Sequence, residues 1–140
     1  MPDPEKVAAV VSESVAKAEN DLKTAAHTLR MGKECPTDTV CFHAQQVVEK
    51  CLKALLTAQG IPFPKTHNIR KLVQTLPAGT QVNLSQDEQD ELTDYATGAR
   101  YPGWGEILLS DSRRLVAIAR RLRRDVRKLL PKEALRTRKP

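Results

Sequence analysis

Aromatic residues are scarce in this chain, at 4%, with one Trp, two Tyr and two Phe. That scarcity argues against a core of aromatic-rich strands, and leaves Leu, Val, Ile and Ala, the residues of packed helices, to build the interior. The cysteines are three, Cys35, Cys41 and Cys51, an odd number without CxxC or CxxCH spacing, which points to free, reduced thiols. No run approaches the roughly 20 apolar residues of a membrane span, and the N-terminus lacks a basic stretch followed by an apolar signal core. A cytoplasmic protein that does not enter the membrane is expected. There is no HExxH and no Cys and His set at zinc spacing, so neither a metal nor another cofactor is expected. Gly103 and Gly105 form no phosphate-binding loop of a recognised type.

What is present fits one domain of 140 residues, long enough to bury roughly two thirds of the surface that the unfolded chain exposes. The net charge of +6 is unevenly placed. From Arg113 to Lys139 twelve lysines and arginines stand against only Asp125 and Glu133, while the rest of the chain is net acidic. The basic character therefore belongs to the C-terminal helix and tail, either as a solvated face or as a contact for RNA or an acidic protein.

Apolar residues at three- and four-residue steps predict helices over Pro4 to about Met31, from Thr37 or Asp38 to about Gln59, and from Ser110 or Asp111 to Leu130. Ile61-Pro62-Phe63-Pro64 cannot continue a helix, because each Pro disfavours helical geometry in its predecessor and lacks a backbone donor. A short helix capped by Thr66 or Asn68 should reach about Leu76. Ser85 and Glu88 have capping-box spacing and should start a further helix that fails near Gly98 to Pro102. Four long helices and one short one predict an all-α, up-and-down four-helix bundle with an additional short helix over residues 1–131, followed by a basic flexible tail over 132–140.

The second of these helices is written with two faces. Ala44, Val47, Val48, Cys51, Leu52 and Leu55 form an apolar series, opposed by His43, Gln46, Glu49, Lys50 and Lys53. Gln45 falls on the edge of the apolar face, where a half-buried, hydrogen-bonded amide is expected. The polar series reads either as a solvated face or as a site in which two Lys, a Gln and a His hold a phosphate and a base. His67, beside a helix start, is either a local hydrogen-bonding residue or part of that site. Arg100 and Tyr101, with Trp104, fall where the fourth helix should end. They can stack a base and clamp a phosphate, or they can close the bundle end with Arg100 paired to Glu49.

At FHAQQVVEKCLKALL, followed by KTHNI and later by ARYP, the chain resembles the HEPN domain family. Gln46, Glu49, Lys50, Lys53 and His67 match its QxxEKxxKA pattern with a downstream TH. The resemblance implies a small helical bundle, often dimeric, found beside minimal nucleotidyltransferases. Many such proteins are ribonucleases with an Arg followed after four to six residues by a His. No Arg stands at that distance before His27, His43 or His67, so no catalytic residue is assigned. The expectation is a non-catalytic, dimeric module of a toxin-antitoxin-like pair. It would bind a nucleotide or RNA phosphate through His43, Gln46, Glu49, Lys50, Lys53, His67, Arg100 and Tyr101, and partner a minimal nucleotidyltransferase. The alternatives are a ribonuclease with an unconventional site, and a structural dimeric adaptor.

Overall fold

Helix α1 (Pro4–Leu29) opens where Asp3 accepts the Glu5 amide at 3.0 Å, and a Pro at its first position needs no amide partner. The computed structural model describes residues 3–96 and 105–135. A 3-10 turn (Gly32–Glu34) leads into α2 (Thr37–Ala58). Helix α2 ends in a Schellman arrangement: Gly60 takes φ +70°, and the Ile61 amide reaches back to the Leu56 carbonyl at 3.0 Å. The Pro-rich stretch from Ile61 is non-helical as expected, and α3 (Ile69–Thr75) starts at Asn68, whose side chain accepts the Lys71 amide.

Helix α4 (Gln86–Asp94) is nine residues long and begins with the expected capping box. Ser85 Oγ accepts the Glu88 amide at 3.1 Å, and Glu88 Oε1 accepts the Ser85 amide at 2.9 Å. Ser85→Ala should therefore lower stability by about 1 kcal/mol, read as a shift in the urea midpoint at constant slope. Helix α5 (Leu109–Leu129) ends before Pro131. The first residues of the segment expected as a tail then form a 3-10 turn (Lys132–Leu135), with Ala134 buried. Among the described residues there is no strand, and Gln81–Leu84 is irregular. Among the described residues the fold is an all-α bundle of three long helices and two short ones.

Helix α2 is the centre. It packs chiefly on α1, then on α5, and also touches α3 and α4. From Thr39 to Ala58 none of its residues is exposed. Val40, Ala44, Val47, Val48, Leu52, Leu55 and Leu56 are completely buried, and they meet Val11, Ala18 and Leu22 of α1 and Leu115, Ala119, Leu122 and Val126 of α5 in one core. A helix enclosed on most sides is usually apolar all round. This one carries Gln, Glu, His and Lys, and each must find a partner inside the bundle.

Cys35, Cys41 and Cys51 are free and buried. Burial pushes the Cys51 thiol up to about 12, which keeps it protonated and without nucleophilic character.

Candidate functional site

Two nearly buried carboxylates organise the polar side of α2. The first is Asp21 on α1, 8% exposed. It sits three residues after Ala18 and four before Ala25, on the stripe that faces α2. Its Oδ1 lies 2.8 Å from His43 Nδ1, and its Oδ2 accepts from Lys50 Nζ at 2.5 Å. His43 and Lys50 are two helical turns apart, so one carboxylate of α1 spans them and fixes the register of the α1–α2 contact.

The second is Glu49, 5% exposed. Its Oε1 accepts from Gln45 Nε2 at 2.9 Å and lies 2.8 Å from His67 Nδ1, while its Oε2 accepts from Lys53 Nζ at 3.1 Å. Burial pushes the Glu49 carboxyl up, but the hydrogen bonds from Gln45, His67 and Lys53 and the charge of Lys53 outweigh it and hold the group below the usual range. Gln45 is completely buried rather than half-buried. Its amide is used on both sides, donating to Glu49 and accepting from Gln46 Nε2 at 2.6 Å. Lys53 Nζ also stands 5.9 Å from the centre of the Phe63 ring, within cation–π reach.

His67 is brought to Glu49 by local turn chemistry. Thr66 Oγ1 accepts the Asn68 amide at 3.0 Å and Asn68 caps α3, so the backbone between the Pro-rich stretch and α3 is fixed from both ends. The His67 side chain is 66% exposed while its Nδ1 meets a buried carboxylate. His43 is held in the same way by Asp21.

Five of the residues expected in the site, His43, Gln46, Glu49, Lys50 and Lys53, thus line one seam of α2, and His67 joins them from the connector. The polar side is a half-buried, internally paired strip, and the solvated-face reading does not describe it. Asp21 escaped the sequence reading, although an acidic residue on an apolar stripe was the visible signal. Arg100 and Tyr101 lie outside the described residues, as does the Arg100 side of the expected pair with Glu49. Among the described residues no group of three His, Cys, Asp or Glu could hold a metal ion, and no helix is long and apolar enough to cross a membrane. A separate cleft of about 560 Å³ opens between α1, α5 and the last 3-10 turn, lined in part by Glu19, Lys23, Arg123 and Arg127.

The seam's residues fall in a sequence that matches the model of the HEPN domain over residues 11–129. The chain belongs to the HEPN domain family. Nothing among the curated proteins or the solved structures compared with it matches significantly. The match runs from the eighth residue of α1 to the end of α5, so most of the bundle and the whole α2 seam of this HEPN domain lie inside it.

Proposed function

We propose that this HEPN domain is a non-catalytic module that forms a homodimer, binds a nucleotide or RNA phosphate on the α2 seam, and works beside a minimal nucleotidyltransferase in a toxin-antitoxin-like pair. The observation that carries the binding is the placement of Lys50 and Lys53 one turn apart on an ordered helix, each steadied by a carboxylate. An ammonium has three donors, and each lysine commits one to its carboxylate, which leaves donors for an incoming anion. Gln46 and the two histidines supply polar groups beside them, and Arg100 and Tyr101 would complete the grip. Dimerisation and the nucleotidyltransferase partner are supported by the family alone.

A Lys50→Ala, Lys53→Ala double variant should bind a fluorescent nucleotide at least about tenfold more weakly, since each charge-assisted hydrogen bond lost is worth about 1.5–3 kcal/mol and 1.4 kcal/mol is tenfold. Unchanged affinity in a variant that keeps its circular dichroism would move the ligand off the seam. Sedimentation at tens of micromolar should show a dimer, and a monomer there would refute self-association.

The second reading is a ribonuclease with an unconventional site built from His43, Lys50, Lys53 and Arg100. It is favoured by one feature: a carboxylate engages Nδ1 of His43 and of His67, an arrangement that leaves Nε2 for proton transfer. Incubated with RNA, the protein should leave it intact. Cleavage that disappears in His43→Ala would establish the ribonuclease instead.

A further inference from the structure

The cations of α5 fall into two sets that the sequence does not distinguish. Arg114 is held by Glu91 and Asp111, and Arg121 by Glu88 and the Asn83 carbonyl. Arg123 and Arg127 share Glu19 of α1. These four lie on the two flanks of the helix, beside α4 and beside α1. The other four, Arg113, Arg120, Arg124 and Lys128, are all exposed, and among the described residues no carboxylate pairs with any of them.

At 100° per residue the unpaired four fall within an arc of about 80°, opposite the buried stripe of Leu115, Ala119, Leu122 and Val126. They form a straight line along the helix, about 22 Å from the first to the last at 1.5 Å per residue. Ala117 is the small residue between the first two. Neither acidic residue of α5 interrupts the line: Asp125 accepts the Asn83 amide, and Asp111 accepts the Leu108 amide at the helix start.

We propose that this ridge of α5 is a docking surface for double-stranded DNA, held through its phosphates and independent of the α2 seam. Four unpaired cations in a line complement a polyanion, and contact with a duplex releases its condensed counterions. The α5 sequence, LSDSRRLVAIARRLRRDVRKL, contains no aromatic residue. Proteins that grip single strands stack bases on aromatic side chains, so the ridge suits a duplex whose bases are already stacked on one another. A straight helix fits the major groove of B-form DNA, whereas the major groove of duplex RNA is too deep and narrow. The flanking arginines, fixed by Glu19, Glu88 and Glu91, would face the groove walls.

The test titrates the full chain into a fluorescent 20-base-pair DNA duplex over a series of salt concentrations, beside a single strand of the same length, a duplex RNA and polyglutamate. The duplex DNA should bind most tightly, with log K falling against log salt at a slope of about −2.7 to −3.6, the value for three or four phosphates neutralised. Arg113→Gln, Arg120→Gln, Arg124→Gln, Lys128→Gln together should weaken it at least tenfold and flatten the slope, with thermal unfolding unchanged. Arg136→Gln, Arg138→Gln, Lys139→Gln should leave most of the affinity in place, and so should the seam variant Lys50→Ala, Lys53→Ala. Undiminished binding by the α5 variant would overturn the proposal. So would loss of binding in the Arg136, Arg138 and Lys139 variant, or equal or tighter binding of the single strand, the RNA duplex or polyglutamate by the seam variant Lys50→Ala, Lys53→Ala, in which the α2 site is removed. A seam variant that lost nucleotide but kept DNA would separate this surface from the site on α2.

Discussion

Glu49→Ala is expected to destabilise the domain by about 3 kcal/mol, the lower end of the range of about 3–5 kcal/mol for removing one partner of a buried ion pair. The lower end applies because Lys53 and His67 reach solvent and can rehydrate when the carboxylate is gone. Gln45 cannot, since it is completely enclosed and would lose its acceptor at Glu49. Urea unfolding gives the comparison, and a loss below about 1 kcal/mol would show that the network adds no more than an exposed pair does. The same carboxylate sets an acid limit. Its folded pKa lies below its unfolded value, so its contribution is full above about pH 4.3, where an unfolded Glu ionises, and is lost as pH falls through the folded value. Glu88 behaves alike, held down first by its hydrogen bond from Arg121. Glu49→Gln should therefore lower stability at pH 7 and make its decline in acid shallower than in the wild type. An equally steep decline would assign the acid sensitivity to other groups.

The helices that the sequence makes legible are those whose apolar period is long, namely α1, α2 and α5, together with the two starts that carry a cap, Asn68 and Ser85. Each depends on interactions within one turn, which a local pattern can encode. The length of α4 is less legible, because Leu92 and Tyr95 continue the apolar spacing while Tyr95 already leaves helical geometry. At the site, periodicity groups His43, Gln46, Glu49, Lys50 and Lys53 on one face, and the structure places them on one seam. What it leaves unread are the partners that come from outside α2. Asp21 lies 22 residues from His43 and 29 from Lys50 in the chain, and His67 is 18 residues from Glu49. Such pairings are set by how α1 and the Pro-rich connector pack on α2. The division of the α5 cations is hidden for the same reason: Glu19, Glu88 and Glu91 are scattered in sequence and converge on its flanks only in the folded bundle.

Asp21 offers the clearest separation of stability from function in the seam. Asp21→Ala should cost about 2 kcal/mol, within the range of about 1.5–3 kcal/mol for hydrogen bonds to a charged group, because Lys50 and His43 lose their shared acceptor where α1 meets α2. Asp21→Leu with Lys50→Met behaves differently. Both positions border the apolar interface of two long helices, and replacing an ion pair by well-packed apolar side chains of similar size is often neutral or stabilising. The double variant should therefore be more stable than Asp21→Ala and close to the wild type in thermal unfolding. If the seam exists to fix the helix register, nothing else should change. If it binds a phosphate, the double variant should fold normally and yet lose nucleotide affinity, since Lys50 was half of the cationic pair and Asp21 held it in place. A stable double variant with wild-type nucleotide binding would reduce the first carboxylate cluster to a packing device and leave Glu49, Lys53 and His67 as the remaining centre of the site.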